Sequence, residues 1–277
     1  MNVTLIYFSQ TGNTRRVAGA MATAFREGGA STRLLSLKKA VPLDALACDL
    51  LGIGSPCFLS RAPAPIKRFL SGLMPLGRKQ AFVFATSGGA PGRVLSDLSR
   101  LLQGKGAEVI GGFLAHGEVH HPAPGLIKRL PDRPNAADLS GARRFALALA
   151  EHARAGARGL VAGSRPDTLM PKGGFYDLVA RFATDRFARS VLPEPKLDAA
   201  RCNLCRWCLY ECPTHNITLR AFPALGNECI RCYRCLTGCP QGAFRVDWRL
   251  ANLLILSAYN ARFERWFGDL GKDEPLY

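Results

Sequence analysis

Residues 3–8, Val-Thr-Leu-Ile-Tyr-Phe, are an apolar run rich in β-formers and predict a buried strand. The six that follow, Ser9 to Thr14, are mostly polar. Val17, Ala18, Met21, Ala22 and Phe25 then recur at the spacing of one helix face. The same change of period repeats along the first half of the chain. It predicts strands over 2–8, 32–37, 49–54, 80–86 and 107–115, and helices over 65–73, 92–103 and 140–155, the last with Ser140 as N-cap. Strands that alternate with helices imply a parallel sheet.

The pattern changes after residue 155. Residues 156–174 are rich in glycine and proline, the composition of a linker. Phe175, Leu178, Val179 and Phe182 follow at helical spacing and predict a bracing helix, ended by Pro193 and Pro195. Its Arg181, Arg186 and Arg189 are expected to snorkel or to face solvent. The tail 248–267 carries Leu250, Leu253, Leu254 and Ile255 and reads as a helix, packed on the body or offered to a membrane surface or partner. The division expected is thus 1–150, 151–196, 197–247 and 248–277. No run reaches the roughly 18 apolar residues of a membrane span. The chain opens directly on a strand, so no signal peptide is expected, and a reducing cytoplasm is the expected compartment.

Eight of the ten cysteines fall in two copies of one pattern. Cys202, Cys205, Cys208 and Cys212 read C-x2-C-x2-C-x3-C, closed by Pro213. Cys229, Cys232, Cys235 and Cys239 repeat it 27 positions on, closed by Pro240. Three closely spaced thiolates let a tight loop wrap three corners of a metal cluster, and the proline turns the fourth cysteine away. A disulfide framework or paired zinc knuckles are the other uses of such cysteines. Zinc sites pair two C-x2-C knuckles, however, and a disulfide knot fits poorly with a chain lacking a secretory signal. Cys48 and Cys57 are left over. Cys48 is expected beside a strand as a small hydrophobe.

Ser9-Gln10-Thr11-Gly12-Asn13-Thr14 lies between a strand and a helix. The hydroxyls of Ser9, Thr11 and Thr14 and the free N–H groups of the helix start are expected to converge on an anion, which the helix dipole also favours. No lysine follows in the manner of a nucleoside triphosphate loop. Two further strands run into Ser55-Pro56-Cys57-Phe58 and Thr86-Ser87-Gly88-Gly89. Three histidines in six residues, His116, His120 and His121, lack a carboxylate or helical metal pattern and read as loop.

The first loop, from Leu5 through Thr14 to Ala18, resembles the phosphate loop of flavodoxins. The cysteine runs resemble those of bacterial two-cluster ferredoxins. Together they resemble flavodoxin–ferredoxin fusions of the emergency-ferredoxin type. The resemblance implies an α/β, doubly wound, five-stranded parallel sheet of order 2-1-3-4-5, followed by a small α+β ferredoxin-like domain. It implies FMN held by Ser9, Gln10, Thr11, Gly12, Asn13, Thr14, Ser55, Pro56, Cys57, Phe58, Thr86, Ser87, Gly88 and Gly89. Phe58 lies against the flavin ring in this scheme, or is a rim aromatic. It implies two [4Fe-4S] clusters with crossed ligands: Cys202, Cys205, Cys208 and Cys239 for one, Cys229, Cys232, Cys235 and Cys212 for the other.

The chain carries 37 Lys and Arg against 21 Asp and Glu, a formal charge of +16. Two clusters and FMN would bring this to about +10, still basic. Arg201, Arg206, Arg220, Arg231, Arg234, Arg245 and Arg249 lie in or beside the cysteine runs. They are a solvated surface or a docking face for an acidic redox partner. No nucleic-acid motif accompanies them. The expected function is electron transfer between FMN, clusters and a redox partner. An FMN-dependent reductase of a small substrate, or a dedicated activase of a metalloenzyme, are the alternatives. A second dinucleotide motif for NAD(P)H is absent from the sequence.

Overall fold

The computed structural model describes residues 1–162, 164 and 181–267. They form two compact units. The first takes in Met1–Glu118 and the described residues between Leu130 and Arg181. The second takes in Val119–Arg129 and the described residues from Phe182 to Phe267.

Unit one is an α/β domain. Its strands β1 (Asn2–Tyr7), β2 (Ser31–Ser36), β3 (Leu50–Pro56), β4 (Gln80–Ser87) and β5 (Glu108–His116) form one sheet in the order β2-β1-β3-β4-β5. All four pairings are parallel. The helices α1 (Asn13–Glu27), α2 (Ala64–Ser71), α3 (Val94–Gly104) and α4 (Ala136–Arg154) cover it. This is the flavodoxin-like doubly wound order that the resemblance implied.

The two faces follow from the period of two along each strand. Val3, Leu5 and Tyr7 point into one core, with Phe82 and Phe84 and the apolar stripe of α1, while Ile6 and Phe8 point into the other. All five residues predicted for the α1 stripe, Val17, Ala18, Met21, Ala22 and Phe25, are fully buried. On β3 the first face carries Leu50 and then two glycines, Gly52 and Gly54. A Cβ on Gly54 would overlap the Phe84 ring, and one on Gly52 would meet Leu5 and Phe82. The two phenylalanines of β4 therefore fill the space these glycines leave. A register shift between Ala81 and Phe82 makes Ile110 an extra residue in β5, which moves Phe113 and Ala115 onto the Ile110 face.

The helix expected from Ser140 starts earlier. Asn135 is its N-cap, accepting from Ala137 N at 3.0 Å and Asp138 N at 3.1 Å, while Asp138 accepts from Asn135 N at 2.8 Å. This reciprocal box, with Asp in the place of Glu, out-competes the serine hydroxyl five residues after Asn135. Buried Arg133 pairs with Asp138 at 2.9 Å and fixes the box.

Unit two is small and repetitive. It contains β6 (Lys196–Leu197), α6 (Trp207–Glu211), β7 (Ile217–Leu219), β8 (Pro223–Leu225), α7 (Arg234–Thr237) and β9 (Phe244–Arg245), preceded by α5 (Asp185–Val191). The hairpin-like pairs β6·β9 and β7·β8 are both antiparallel. Leu197 pairs with Phe244, and Leu225 with Ile217, so the two sheets are copies of one arrangement. The bracing helix expected from Phe175 to Pro193 lies outside the described residues before Arg181, and beyond it the chain is not one helix: Thr184 accepts from Phe187 N and caps α5 as a separate element. In the tail, Arg249–Ala251, a π-helical turn Asn252–Leu256 and Ser257–Phe267 follow one another. Ala251 and Leu256 are buried with Tyr233, while Leu250, Leu253 and Leu254 are exposed. Among the described residues no helix is long and apolar enough to cross a membrane.

Candidate functional sites

The loops after β1, β3 and β4 all leave the carboxyl edge of the sheet, where the strand order reverses between β1 and β3. Ligands bind in such a crevice. In the first loop, Gly12 adopts φ 104° as the residue before α1, which only glycine tolerates easily. Among the described residues no side chain caps α1, and its first turn holds no acid. Its leading N–H groups are thus available to an anion. Gln10 Nε2 is buried and has no hydrogen-bond partner among the described residues. A phosphate acceptor would satisfy it.

The three hydroxyls do not all turn outward. Ser9 Oγ accepts from Gly12 N at 3.2 Å. Thr14 is fully buried, its Oγ1 2.8 Å from Thr86 Oγ1, and so links the first loop to the third. Thr11 is exposed. Asn13 Nδ2 donates to Glu118 O at 2.9 Å, which brings the chain after β5 against the first loop. That chain was missing from the sequence reading. Its one signal was Gly117, where a Cβ would lie 3.0 Å from Asn13 Nδ2 and 3.3 Å from Thr86 Cβ.

The second and third loops brace each other. Phe58 and Arg61 exchange two backbone hydrogen bonds of 2.9 Å around Leu59 (φ 47°) and Ser60 (φ 63°), the geometry of a tight hairpin turn. Asp97 holds this turn, accepting from Arg61 Nε at 2.7 Å, Arg61 Nη2 at 2.8 Å and Ala62 N at 3.1 Å. Phe58 stands edge-on to Phe8, with centroids 6.3 Å apart. The Cys57 thiol donates to Ala90 O and Pro91 O at 3.4 Å each, and burial pushes its pKa up to about 12. The thiol is thus packed against the third loop. Thr86, Ser87 and Gly89 are buried, Ser55 is fully buried, and Pro56 and Gly88 are half-buried at the crevice.

In unit two the repeat extends to the backbone. Leu204 (φ 59°) and Arg231 (φ 53°) are left-handed at equivalent positions, as are Arg206 (φ 61°) and Tyr233 (φ 55°). These turns curl each run around its cysteines. The fourth cysteines are also treated alike. Cys212 Sγ accepts from Asn216 N at 3.3 Å, and Cys239 Sγ from Ala243 N at 3.4 Å.

The thiols fall into two sets. A cavity is lined by Cys202, Cys205, Cys208 and Cys239, with Trp207 and Phe244. Burial pushes the Cys208 pKa up to about 11, and the charges of Cys202, Cys239 and Cys205 push in the same direction. Cys235 is raised by burial, and then by Cys232, Cys229 and Cys212. Cys239 of the second run thus lies with the thiols of the first, and Cys212 of the first run acts on Cys235 of the second. Among the described residues, no group of three His, Cys, Asp or Glu side chains is gathered as the ligands of a single metal ion are.

The basic residues divide sharply. Arg201, Arg206, Arg220, Arg245 and Arg249 are exposed. Arg231 is buried, and Arg234 is half-buried over the Trp207 ring. These two cannot belong to a solvated docking face. His116 closes β5 in unit one, and His121 belongs to unit two. It packs edge-on against Tyr233 at 4.9 Å, in unit two. Its Nδ1 accepts from Ala123 N at 3.3 Å, and its ring also bonds the Arg231 backbone.

Solved structures of similar fold include a flavodoxin from the domain Archaea, with 18% identity over 56% of this chain and 99% of that one, at a TM-score of 0.46. Megasphaera elsdenii flavodoxin is 23% identical over 52% of this chain and 98% of its own, at 0.42. The rubredoxin oxygen:oxidoreductase of Desulfovibrio gigas is 20% identical over 56% of this chain and 36% of its own, at 0.45. No protein-family model and no curated protein matches the chain.

Proposed function

We propose that the chain is an electron-transfer protein that holds FMN in unit one and two [4Fe-4S] clusters in unit two. The cavity that gathers Cys202, Cys205 and Cys208 with Cys239 of the other run carries this reading, and the influence of Cys212 on Cys235 supports the second set. Four soft ligands spread around a space suit a cube of four irons, and the crossed completion is the pattern of two-cluster ferredoxins. The assignment is Cys202, Cys205, Cys208 and Cys239 for one cluster and Cys229, Cys232, Cys235 and Cys212 for the other.

For FMN, the supporting features are the uncapped start of α1, the unpartnered Gln10 Nε2 and the switch-point crevice. Gln10, Thr11, Gly12 and Asn13 would hold the phosphate. Ser9 and Thr14 shape the loop through Gly12 and Thr86. Pro56, Cys57 and Phe58, with Ser87, Gly88 and Gly89, would border the ring, and Ser55 and Thr86 lie beneath them. FMN exchanges one or two electrons and each cluster one, so a chain holding both converts between pair and single-electron transfer. One chain also keeps both kinds of centre at high effective concentration.

A redox partner with an acidic face is the expected electron acceptor or donor, met by exposed Arg206 and Arg220. Anaerobic purification followed by metal, sulfide and flavin analysis tests the reading. About eight iron, eight sulfide and one FMN per chain are expected. Stoichiometric zinc, or about four iron after full reconstitution, would overturn it.

A further inference from the structure

The two cysteine runs are alike in backbone and unlike in surroundings. Asn203, Leu204, Cys205 and Arg206 are all exposed, Leu204 at 44%. Their counterparts 27 residues on are Ile230, Arg231, Cys232 and Tyr233. Of these Ile230 is buried, Arg231 is 9% exposed and Tyr233 is 1% exposed. Tyr233 donates to Pro193 O at 2.6 Å and packs on Trp248 with centroids 4.9 Å apart. The second run is thus embedded where the first is open.

Arg231 lies between Cys229 and Cys232 and carries a buried positive charge. Its Nη2 is 3.3 Å from Glu194 Oε2, a half-exposed carboxylate. Its Nε and Nη1 are sealed from water and have no hydrogen-bond partner among the described residues. Buried N–H donors on a charged group are costly unless an anion accepts them. The anion nearest in sequence on both sides is the thiolate set of the second run. Arg231 is one residue from Cys232 and two from Cys229, in a run whose Ile230 and Tyr233 are buried with it.

We infer that Arg231 makes the two cluster sites inequivalent and gives the first electron to the site of Cys229, Cys232, Cys235 and Cys212. The inference rests on the two-cluster reading above. Reduction adds one electron to a cluster, with no bond or proton exchanged. A fixed positive charge beside it favours the added negative charge, and more strongly where water is excluded. Burial of the cluster itself opposes reduction. The cysteines of this site are only half-buried, however, while the guanidinium is nine-tenths buried. The charge therefore outweighs the desolvation. At the other site the equivalent residue is apolar Leu204, and Arg206 stands in water, where screening weakens it.

Paramagnetic resonance followed through a mediated dithionite titration tests this on the whole chain, after iron analysis. Wild-type protein is expected to reduce in two separate one-electron steps. Arg231→Leu should lower the earlier step until the occupancy ratio of the two sites changes by about tenfold or more, which is 59 mV for one electron. Leucine suits the backbone, since Leu204 holds the same left-handed turn. Leu204→Arg, at an exposed position, should raise the later step at low salt and bring the two together. Arg231→Lys should keep them apart, and decides the matter if the leucine variant loses iron. Unchanged midpoints in Arg231→Leu, or merged steps in Arg231→Lys, would overturn the inference. Loss of four-iron signals in the wild-type protein would instead remove the reading beneath it.

Discussion

Arg234 lies over Trp207, its guanidinium carbon 4.9 Å from the ring centroid, and the two residues hold the same place in successive copies of the 27-residue repeat. One copy presents the ring and the other the cation. Arg234 also reaches Glu211 at 3.5 Å. A stacked, partly desolvated pair of this kind contributes about 1–2 kcal/mol. It joins α6 to α7 and so ties the two cysteine runs together.

The same indole leaves no room at Gly238. A Cβ at Gly238 would overlap the six-membered ring of Trp207. Gly238→Ala is expected to cost about 1–3 kcal/mol, the usual range for overpacking. Anaerobic denaturant unfolding of the reconstituted protein measures it. A loss below about 0.5 kcal/mol, typical of surface changes, would show that the indole shifts freely.

Crossed ligation has its own test. Cys212→Ser is expected to alter the cluster built on Cys229, Cys232 and Cys235, not the one beside it in sequence. Resonance spectra of the variant should lose or change one of the two signals. Combined with Arg231→Leu, both changes should fall on the same signal. If they fall on different signals, the ligand sets are not crossed.

The flavin loop separates binding from scaffolding. Gln10→Leu and Thr11→Val should weaken FMN more than riboflavin, because their polar groups are assigned to the phosphate. One hydrogen bond to a charged group is worth about 1.5–3 kcal/mol, tenfold or more in affinity. Thr14→Val should weaken both ligands alike, since Thr14 acts through Thr86. Fluorescence titration of the apoprotein with each flavin gives both ratios. A phosphate-selective loss in Thr14→Val would reverse these roles.

His121 predicts a pH dependence. Burial lowers its pKa from 6.5 to about 4. Between those values the unfolded chain binds the proton and the folded one does not, so stability falls as pH drops from 6.5 towards 4. Neutral His121 accepts from Ala123 and bonds the Arg231 backbone, and a protonated ring could not accept. His121→Gln should flatten the fall in unfolding midpoint across this window. An unchanged slope would show that another group titrates there.

Salt reports on docking. Arg206→Gln with Arg220→Gln should slow reduction of an acidic partner and flatten the dependence of that rate on ionic strength. Arg234→Gln should leave that slope near the wild-type value, because Arg234 is held against Trp207. Stopped-flow rates across a salt series distinguish the two.

Local rules made much of this molecule legible from its residues. Period-two and period-3.6 patterns located all five strands of the sheet and the stripe of α1, because each depends on near neighbours. The cysteine spacing delimited the two runs for the same reason, since a loop that wraps a cluster is set by the residues within it. The sheet order followed from the resemblance of the first loop and the cysteine runs to known families. What pairs across the fold was decided only in three dimensions. Asn135 displaced Ser140 as the cap because Arg133 and Asp138 complete its box. Thr14 turned inward to Thr86, 72 positions away. Residues 119–129 joined unit two, although unit one continues on both sides of them in the chain. Arg231 and Arg234 look alike in sequence to exposed Arg206, yet one is buried and the other stacked. Burial depends on what the rest of the chain brings alongside, and no spacing along the sequence encodes it.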